Sequence, residues 1–327
     1  MGKYAIEELR TIAKSLFSKA VSAVDPYQRL KETVKIDRGD LRVVMSEGLT
    51  RHFNLKNVRN LYLIGAGKAS ASMARAIEEI FGDRITRGII STKFGHGLSL
   101  QRTEIIEAGH PVPDGQGLVG ARKMIDLLKD SGPQDLVIFL LSGGASALLP
   151  LPADAIRLEE KQEMTQLLLD CGADIREINT IRKHVSQIKG GRLARIAYPS
   201  TVLGFILSDV VGDPLDAIGS GPTVPDTSTF EEAWEILKKY GLLKEVAPSI
   251  RHHLQLGKEG MIEETPKPGD ALFDRIYNTL IGSNLLALQA VALESRSLGF
   301  NSIILSSSIV GEGSGPLPHR HCQGGYS

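Results

Sequence analysis

The chain contains 327 residues, more than one ordinary hydrophobic core needs, so we expect one large domain and part of a second. Hydrophobic residues make up 42% of the chain and charged residues 23%, a globular composition that excludes a disordered or fibrous protein. The 38 basic residues balance the 38 acidic ones and aromatic residues are only 5%, which argues against nucleic acid or an acidic membrane as a partner.

The first two thirds of the sequence alternate between helical and strand patterns. An apolar stripe predicts a first helix over residues 6–24, which Asp25-Pro26 ends. Strands that are apolar throughout, with helices between them, indicate an α/β fold with a mainly parallel sheet covered on both faces. Binding sites in such sheets lie beyond the carboxyl ends of the strands. The predicted strands are residues 60–64, 88–92, 104–108, 135–141 and 201–208, and the helices between them 68–81, 117–129, 158–171, 179–189 and 191–197.

The last third predicts a change of domain. A helix is expected at residues 230–240, and the stretch 257–269, with its two prolines, resembles a junction. A new strand-helix-strand unit follows at residues 278–282, 284–298 and 302–305. We therefore expect a large domain over residues 1–256, the beginning of a smaller α/β domain over 257–312, and an unpatterned tail over 313–327.

Cysteine usage and apolar run length bear on the compartment. Cys171 and Cys322 have neither the spacing of a disulfide framework nor that of a metal-ligand pair. The N-terminus is charged and amphipathic, unlike a signal peptide, and no apolar run approaches the length of a membrane span. These features predict a protein of the reducing cytoplasm.

The first glycine-rich turn follows a predicted strand and opens a helix. Gly65 and Gly67 let the backbone approach an anion at a helix N-terminus, and Lys68 adds a positive charge. The turn is not a Walker A loop, because Ala69 stands where Ser or Thr is needed, and Ser70 replaces the third glycine of a dinucleotide fingerprint. A tight turn with a solvated lysine is the alternative.

The second turn ends the most apolar strand. Ser142, Gly143, Gly144 and Ser146 supply hydroxyl groups and backbone N–H groups at a helix start, which suits a phosphate or another oxyanion. It is not a nucleophile elbow, because the Gly-x-Ser-x-Gly pattern is absent. A purely structural glycine-rich turn is the alternative.

The third motif is a basic segment over residues 179–192. Arg182, Ser186 and Lys189 are spaced to share one face of a helix, and a cationic face with a hydroxyl group fits a carboxylate or phosphate. A solvated basic face is the alternative. His184 fits a structural hydrogen bond and a proton carrier equally well.

The fourth motif is a run of acids after the strand at residues 201–208. Asp209 and Asp213 are placed to hold Mg²⁺ or to accept a hydroxyl proton. Asp213 precedes Pro214 and could instead shape a turn, and Asp216 could cap a helix. Asp209 has no comparable structural role.

Taken together, these turns resemble the class II glycerate kinases, a family also labelled hydroxypyruvate reductases. The resemblance covers residues 6–311 and rests on five ordered motifs, which residues 281–284 continue: residues 65–73, 109–114, 141–148, 179–191 and 208–223. It implies a large Rossmann-like three-layer domain and a smaller C-terminal domain with a cleft between them. It also implies transfer of the γ-phosphate of ATP to D-glycerate, with a divalent metal such as Mg²⁺.

The resemblance also implies roles for individual residues. Lys68 is the key lysine of the large domain and neutralises phosphate charge, and Ser142–Ser146 and Asp209 line the same cleft. Beyond the resemblance, we infer that Arg182 or Lys189 clamps an anion and that Asp209 handles metal or the glycerate hydroxyl. The expected product is 2-phosphoglycerate, although the sequence leaves 3-phosphoglycerate and a homodimer open.

The end of the sequence departs from the family. The smaller domain should continue through a Gly-Gly-Arg-Asn-Gln-Glu motif whose arginine matters for catalysis, and this motif is absent. We therefore expect a truncated second domain and slow turnover. Two rivals remain: an NAD(P)H-dependent hydroxypyruvate reductase, with Lys93 at the cofactor 2′-phosphate, and a non-catalytic fragment that only binds ligands.

Overall fold

The computed structural model describes residues 5–309, so the tail at 313–327 lies outside the described residues. The helices are α1 (Ile6–Ala23), α2 (Pro26–Thr33), α3 (Ser70–Phe81), α4 (Gly115–Leu128), α5 (Ala145–Leu148), α6 (Leu158–Asp170), α7 (Ile175–His184), α8 (Arg192–Ala197), α9 (Phe230–Lys239), α10 (Pro248–Lys258) and α11 (Asn284–Ser297). The strands are β1 (Val34–Asp37), β2 (Asp40–Val44), β3 (Thr50–Asn54), β4 (Leu61–Ala66), β5 (Arg87–Lys93), β6 (Thr103–Ala108), β7 (Leu136–Leu141), β8 (Thr201–Leu207) and β9 (Ile276–Gly282).

Six parallel strands form the central sheet in the order β6-β5-β4-β7-β8-β9. The chain builds β4, β5 and β6 outward on one side, then returns to place β7 on the other side of β4. The strand order therefore reverses between β4 and β7, and open α/β sheets bind their ligands at the carboxyl ends of the strands at such a point.

The sheet is the middle of three layers, which confirms the predicted α/β fold. Alternate side chains of one strand enter different cores: Ile138 and Leu140 pack with α2, α3 and the small sheet, whereas Val137 and Phe139 pack on the α4 and α8 side. A third apolar cluster joins α6, α7, α9 and α10 beside the sheet. Within residues 5–309, no helix has the length and apolarity to cross a lipid bilayer.

Some sequence predictions need correction. The short antiparallel sheet β1-β2-β3 was not predicted. The strand expected at residues 302–305 is not formed: Ile303 and Leu305 are more than four-fifths exposed and no neighbouring strand pairs with them in the described part of the chain. The strand expected to open a second domain belongs to β9, which pairs with β8 in the central sheet. The division at residue 257 itself stays a prediction.

Candidate functional site

The turns after β4 and β7 are built against each other. Gly67 has φ +136°, and a Cβ added there would lie 2.1 Å from Ser142 Oγ, so only glycine lets the two turns approach this closely. The Lys68 amide donates to the Gly143 carbonyl at 2.9 Å, and the Ala69 amide donates to Ser142 Oγ at 3.0 Å. The two predicted glycine-rich turns therefore form one unit.

This pairing decides which backbone groups are free to meet an anion. The Gly67 amide donates to the Ser91 carbonyl, so this amide, like those of Lys68 and Ala69, already has an acceptor within the protein. The amides of Gly143 and Gly144, by contrast, have no acceptor among residues 5–309. Adjacent free N–H groups at a helix start attract an oxyanion. The second turn is thus the better anion cradle, and the first contributes Lys68.

Three side chains surround that cradle. Lys68 Nζ lies 4.0 Å from Asp209 Oδ2, and both side chains are well exposed. The Asp209 carboxylate covers Gly143, where an added Cβ would lie 2.1 Å from Oδ2. The half-buried His110 ring covers Gly144 in the same way, 2.7 Å from an added Cβ. Burial lowers the pKa of His110, and the charges of Lys68 and Lys93 lower it further. The cradle is therefore flanked by a cation, a carboxylate and an imidazole.

The other acids of the fourth motif, which all lie among the described residues, form no ion pair with Lys68. Asp213 has φ +53° and its amide donates to the Val210 carbonyl, so it lies in a turn. Asp216 Oδ2 lies 3.4 Å from Lys183 Nζ and forms an ion pair there. No group of three or more His, Cys, Asp or Glu side chains suited to hold a metal occurs among the described residues. Asp209 is the acid that faces the cradle.

The basic segment is not one continuous helix. α7 ends at His184, so Arg182, Ser186 and Lys189 do not share the predicted helical face. Ser186 is buried and its hydroxyl donates to the Leu151 carbonyl at 2.9 Å, which is a structural contact. His184 is also buried, with Nδ1 2.7 Å from the Thr180 carbonyl and Nε2 close to a carboxylate, so both ring nitrogens face acceptors.

Arg182 and Lys189 nevertheless meet, in a cavity of about 660 Å³ beside the cradle. Lys161, from α6, lines the same cavity although its side chain is only 6% exposed. Lys161 is not a sequence-predicted site residue, because it stands in a charged stretch typical of a solvated helix face. His110 has no predicted role either. The sequence did contain one indication that Lys161 is buried: it shares a helical spacing of three and four residues with the apolar Leu158, Met164 and Leu168.

The chain is similar in sequence to one protein family and to named proteins from two organisms. A family model described as a domain of unknown function (DUF4147) matches residues 12–255. The chain is 41% identical over 305 residues to glycerate 2-kinase from Pyrococcus horikoshii, covering 93% of this chain and 66% of that protein. It is 38% identical over 308 residues to D-glycerate 2-kinase from Thermotoga maritima, covering 93% and 65%.

A solved structure gives the same picture. The crystal structure of glycerate kinase from Thermotoga maritima matches with a TM-score of 0.77 at 37% identity, covering 91% of this chain and 65% of that one. The chain thus spans about two thirds of the length of the proteins it matches.

Proposed function

The chain belongs to the family described as DUF4147, and from its similarity to the two glycerate kinases described above we propose that it phosphorylates D-glycerate with ATP. The names of the relatives from two organisms, glycerate 2-kinase and D-glycerate 2-kinase, support this reaction and 2-phosphoglycerate as its product. The observation that carries the proposal is the arrangement at the β4/β7 switch point, where Lys68 and Asp209 flank the free amides of Gly143 and Gly144.

Phosphoryl transfer needs positioning and charge neutralisation more than covalent chemistry. The amides of Gly143 and Gly144 would cradle phosphate oxygens, with the hydroxyl groups of Ser142 and Ser146 beside them. Lys68 would neutralise charge on the transferring group. Asp209 would accept the proton of the glycerate hydroxyl or bind metal.

We propose that magnesium enters bound to the nucleotide, because no group of three or more His, Cys, Asp or Glu side chains suited to a metal occurs among residues 5–309. Mg²⁺ is commonly held by one or two carboxylates together with substrate phosphates, rather than by an all-protein cage. Asp209 would supply one carboxylate, and Asp213 stays a predicted second ligand. The ion would neutralise phosphate charge when bound.

The reductase alternative is weaker on the same geometry. Dinucleotide sites bind the pyrophosphate with free amides of the first strand-to-helix turn. Here the amides of Gly67, Lys68 and Ala69 already donate to protein acceptors. Lys93 stands at the end of β5, but the turn it would assist has no free amide to offer.

Two assays on the purified chain test the proposal. ADP release with ATP, Mg²⁺ and D-glycerate is followed at enzyme concentrations high enough to detect slow turnover, and NADPH oxidation is followed with hydroxypyruvate. We expect glycerate-dependent ADP release, with kcat/KM about 100-fold lower or more in Lys68→Ala, because a charge that stabilises the transition state is lost.

The matched control is Lys123→Ala, an exposed lysine on α4 that pairs with Glu104. It should keep the wild-type rate. Glycerate-dependent turnover that Lys68→Ala leaves intact would contradict the assignment of Lys68, and NADPH oxidation without ADP release would replace the kinase with the reductase.

A further inference from the structure

The cavity between α6, α7 and the turn after β7 concentrates positive charge. Lys161 Nζ has a single long contact, 3.4 Å to the Pro150 carbonyl. Lys189 Nζ donates to Ser146 Oγ at 3.0 Å and to the carbonyls of Ser146 at 3.3 Å and Gly219 at 3.1 Å. The Arg182 guanidinium has no hydrogen-bond or ion-pair partner among residues 5–309. Three cationic side chains thus share one space.

No carboxylate compensates these charges in the described part of the chain. Glu163 and His110 also line the cavity, but Glu163 is exposed and forms no ion pair. Burial lowers the pKa of Lys161 to about 7, with a further contribution from Arg182. Burial also lowers the pKa of Lys189 and of Arg182. Uncompensated buried charge is costly unless a counter-ion arrives.

Lys183, a neighbouring buried lysine, has a carboxylate partner and serves as a comparison for Lys161. Lys183 is as buried as Lys161, but its Nζ lies 3.1 Å from Asp226 Oδ1. The same helix pair therefore contains one lysine matched with a carboxylate and one left open toward a cavity. The unmatched lysine is the one that faces a space large enough for a ligand.

The cavity is continuous with the candidate site. His110, Gly144 and Ser146 line it, and these residues also form the cradle or its surroundings. Ser146 links the two, because its hydroxyl contacts Lys189 and it lies two residues after Gly144, whose amide is free. An anion in the cavity would therefore stand next to a phosphate on the cradle.

We propose that this cavity binds the anionic end of a substrate, a carboxylate or a phosphate, through Lys161 and Arg182. Lys189 donates to the Ser146 hydroxyl, which fixes that side chain, and its charge adds to the positive potential of the cavity. The guanidinium offers paired donors that match either anion, and the ammonium closes the opposite side. The anion site stands on the cavity alone, whereas identifying the anion as the glycerate carboxylate rests on the proposed function.

Titration calorimetry on the intact chain tests the proposal with three probes: D-glycerate, inorganic phosphate and Mg²⁺-ADP. We expect Lys161→Met and Arg182→Gln each to weaken binding of at least one probe about tenfold or more. Lys161→Met keeps the length of the side chain and removes a buried charge, so it should fold, and circular dichroism checks both variants. The matched control, Lys238→Met, removes an exposed lysine of α9 and should bind as the wild type does.

The pattern of losses identifies the source of the anion. Loss confined to D-glycerate assigns the carboxylate, and loss of phosphate or ADP binding assigns the nucleotide. Wild-type affinity in both folded variants for every probe, or no binding of any probe to the wild type, would overturn the inference. Glycerate bound through Lys161 without any ADP release would reject the proposed function and leave the anion site standing.

Discussion

At the scale of single residues, two buried lysines on neighbouring helices, Lys161 of α6 and Lys183 of α7, have different surroundings. Lys183 has Asp226, which also accepts from Ser228 and Thr265. Burial alone would raise the pKa of Asp226, but the Lys183 charge and the Ser228 hydrogen bonds lower it. Lys161 has only a distant carbonyl and a lowered pKa, and perturbed pKa values of this kind cluster at functional sites.

The lowered pKa of Lys161 predicts a pH-dependent stability. The unfolded chain keeps this lysine protonated up to its ordinary pKa of 10.5, whereas the folded chain releases the proton near pH 7. The unfolded state therefore binds more protons between these values, and the free energy of unfolding rises with pH there. Between pH 6 and pH 9.5, wild type should gain roughly 3 kcal/mol more than Lys161→Met.

Urea unfolding of both proteins at several pH values measures this difference. His110, Glu163 and Arg182 are common to both proteins. Lys189 is also common, but the Lys161 charge contributes to its lowered pKa, so the difference reports Lys161 together with its effect on Lys189. If the free energy of unfolding of the two proteins changed with pH in parallel, Lys161 would stay charged in the folded chain. The lowering of its pKa by burial would then be wrong.

At the scale of elements, strands of the central sheet were predictable from sequence, because short continuous apolar runs that end in glycine-rich turns are typical of buried parallel strands. The strand predictions were wrong where the residue pattern alone does not determine whether a strand forms. Residues 302–305 are as apolar as a strand, but pairing needs a neighbouring edge that a pattern does not contain. The small sheet β1-β2-β3 was missed because its strands are short and mix polar with apolar residues, without a continuous apolar run.

The end of α7 shows the same limit for the candidate site. Spacing alone placed Arg182, Ser186 and Lys189 on one face, but the helix stops at His184 and Ser186 turns to pair with Pro152. The meeting of Arg182 with Lys189 survives because the chain folds back around the cavity. Lys161 enters that cavity from α6, a contact between distant segments that local sequence does not encode.

Glu264 ties two elements together and supports a second prediction of stability. Its carboxylate lies 2.9 Å from His184 Nε2 of α7 and accepts from the Phe230 amide at the N-terminus of α9 at 2.9 Å. Burial alone would raise the pKa of Glu264, but the hydrogen bonds from His184, Phe230 and Thr265 lower it to about 2. The resulting stability is present above pH 4.5 and is lost as the pH falls toward 2.

We therefore expect Glu264→Gln to lower the free energy of unfolding at pH 7 by about 1–2 kcal/mol, after allowing for the partial exposure of the side chain. Its stability should also depend less on pH below 4.5 than that of the wild type. Glu259→Gln, an exposed carboxylate on the same segment, is the control. Equal effects of the two substitutions in chemical denaturation would mean that Glu264 does not link α7 to α9.

At the scale of the whole molecule, the strand order places one crevice in the middle of the sheet and surrounds it with parts that are far apart in the chain. The turn after β4, the turn after β7 and the acid after β8 all emerge at the same edge, because parallel strands end on one side. α6 and α7 add the cationic cavity from the neighbouring helical cluster. The opposite edge carries structural contacts, such as Asp135 with Arg59.

This asymmetry predicts where a ligand will slow amide hydrogen exchange. Saturating Mg²⁺-ADP should protect Gly143 and Gly144 most, because these amides gain an acceptor that the protein does not provide. The amides of Gly67, Lys68 and Ala69 already have acceptors and should change less. Exchange measured by mass spectrometry with residue-level fragmentation distinguishes the two turns. The loop over residues 130–135, at the amino end of β7, serves as the internal control and should not respond. Protection concentrated at that loop, or on the first turn with none on the second, would place the nucleotide elsewhere and contradict the cradle.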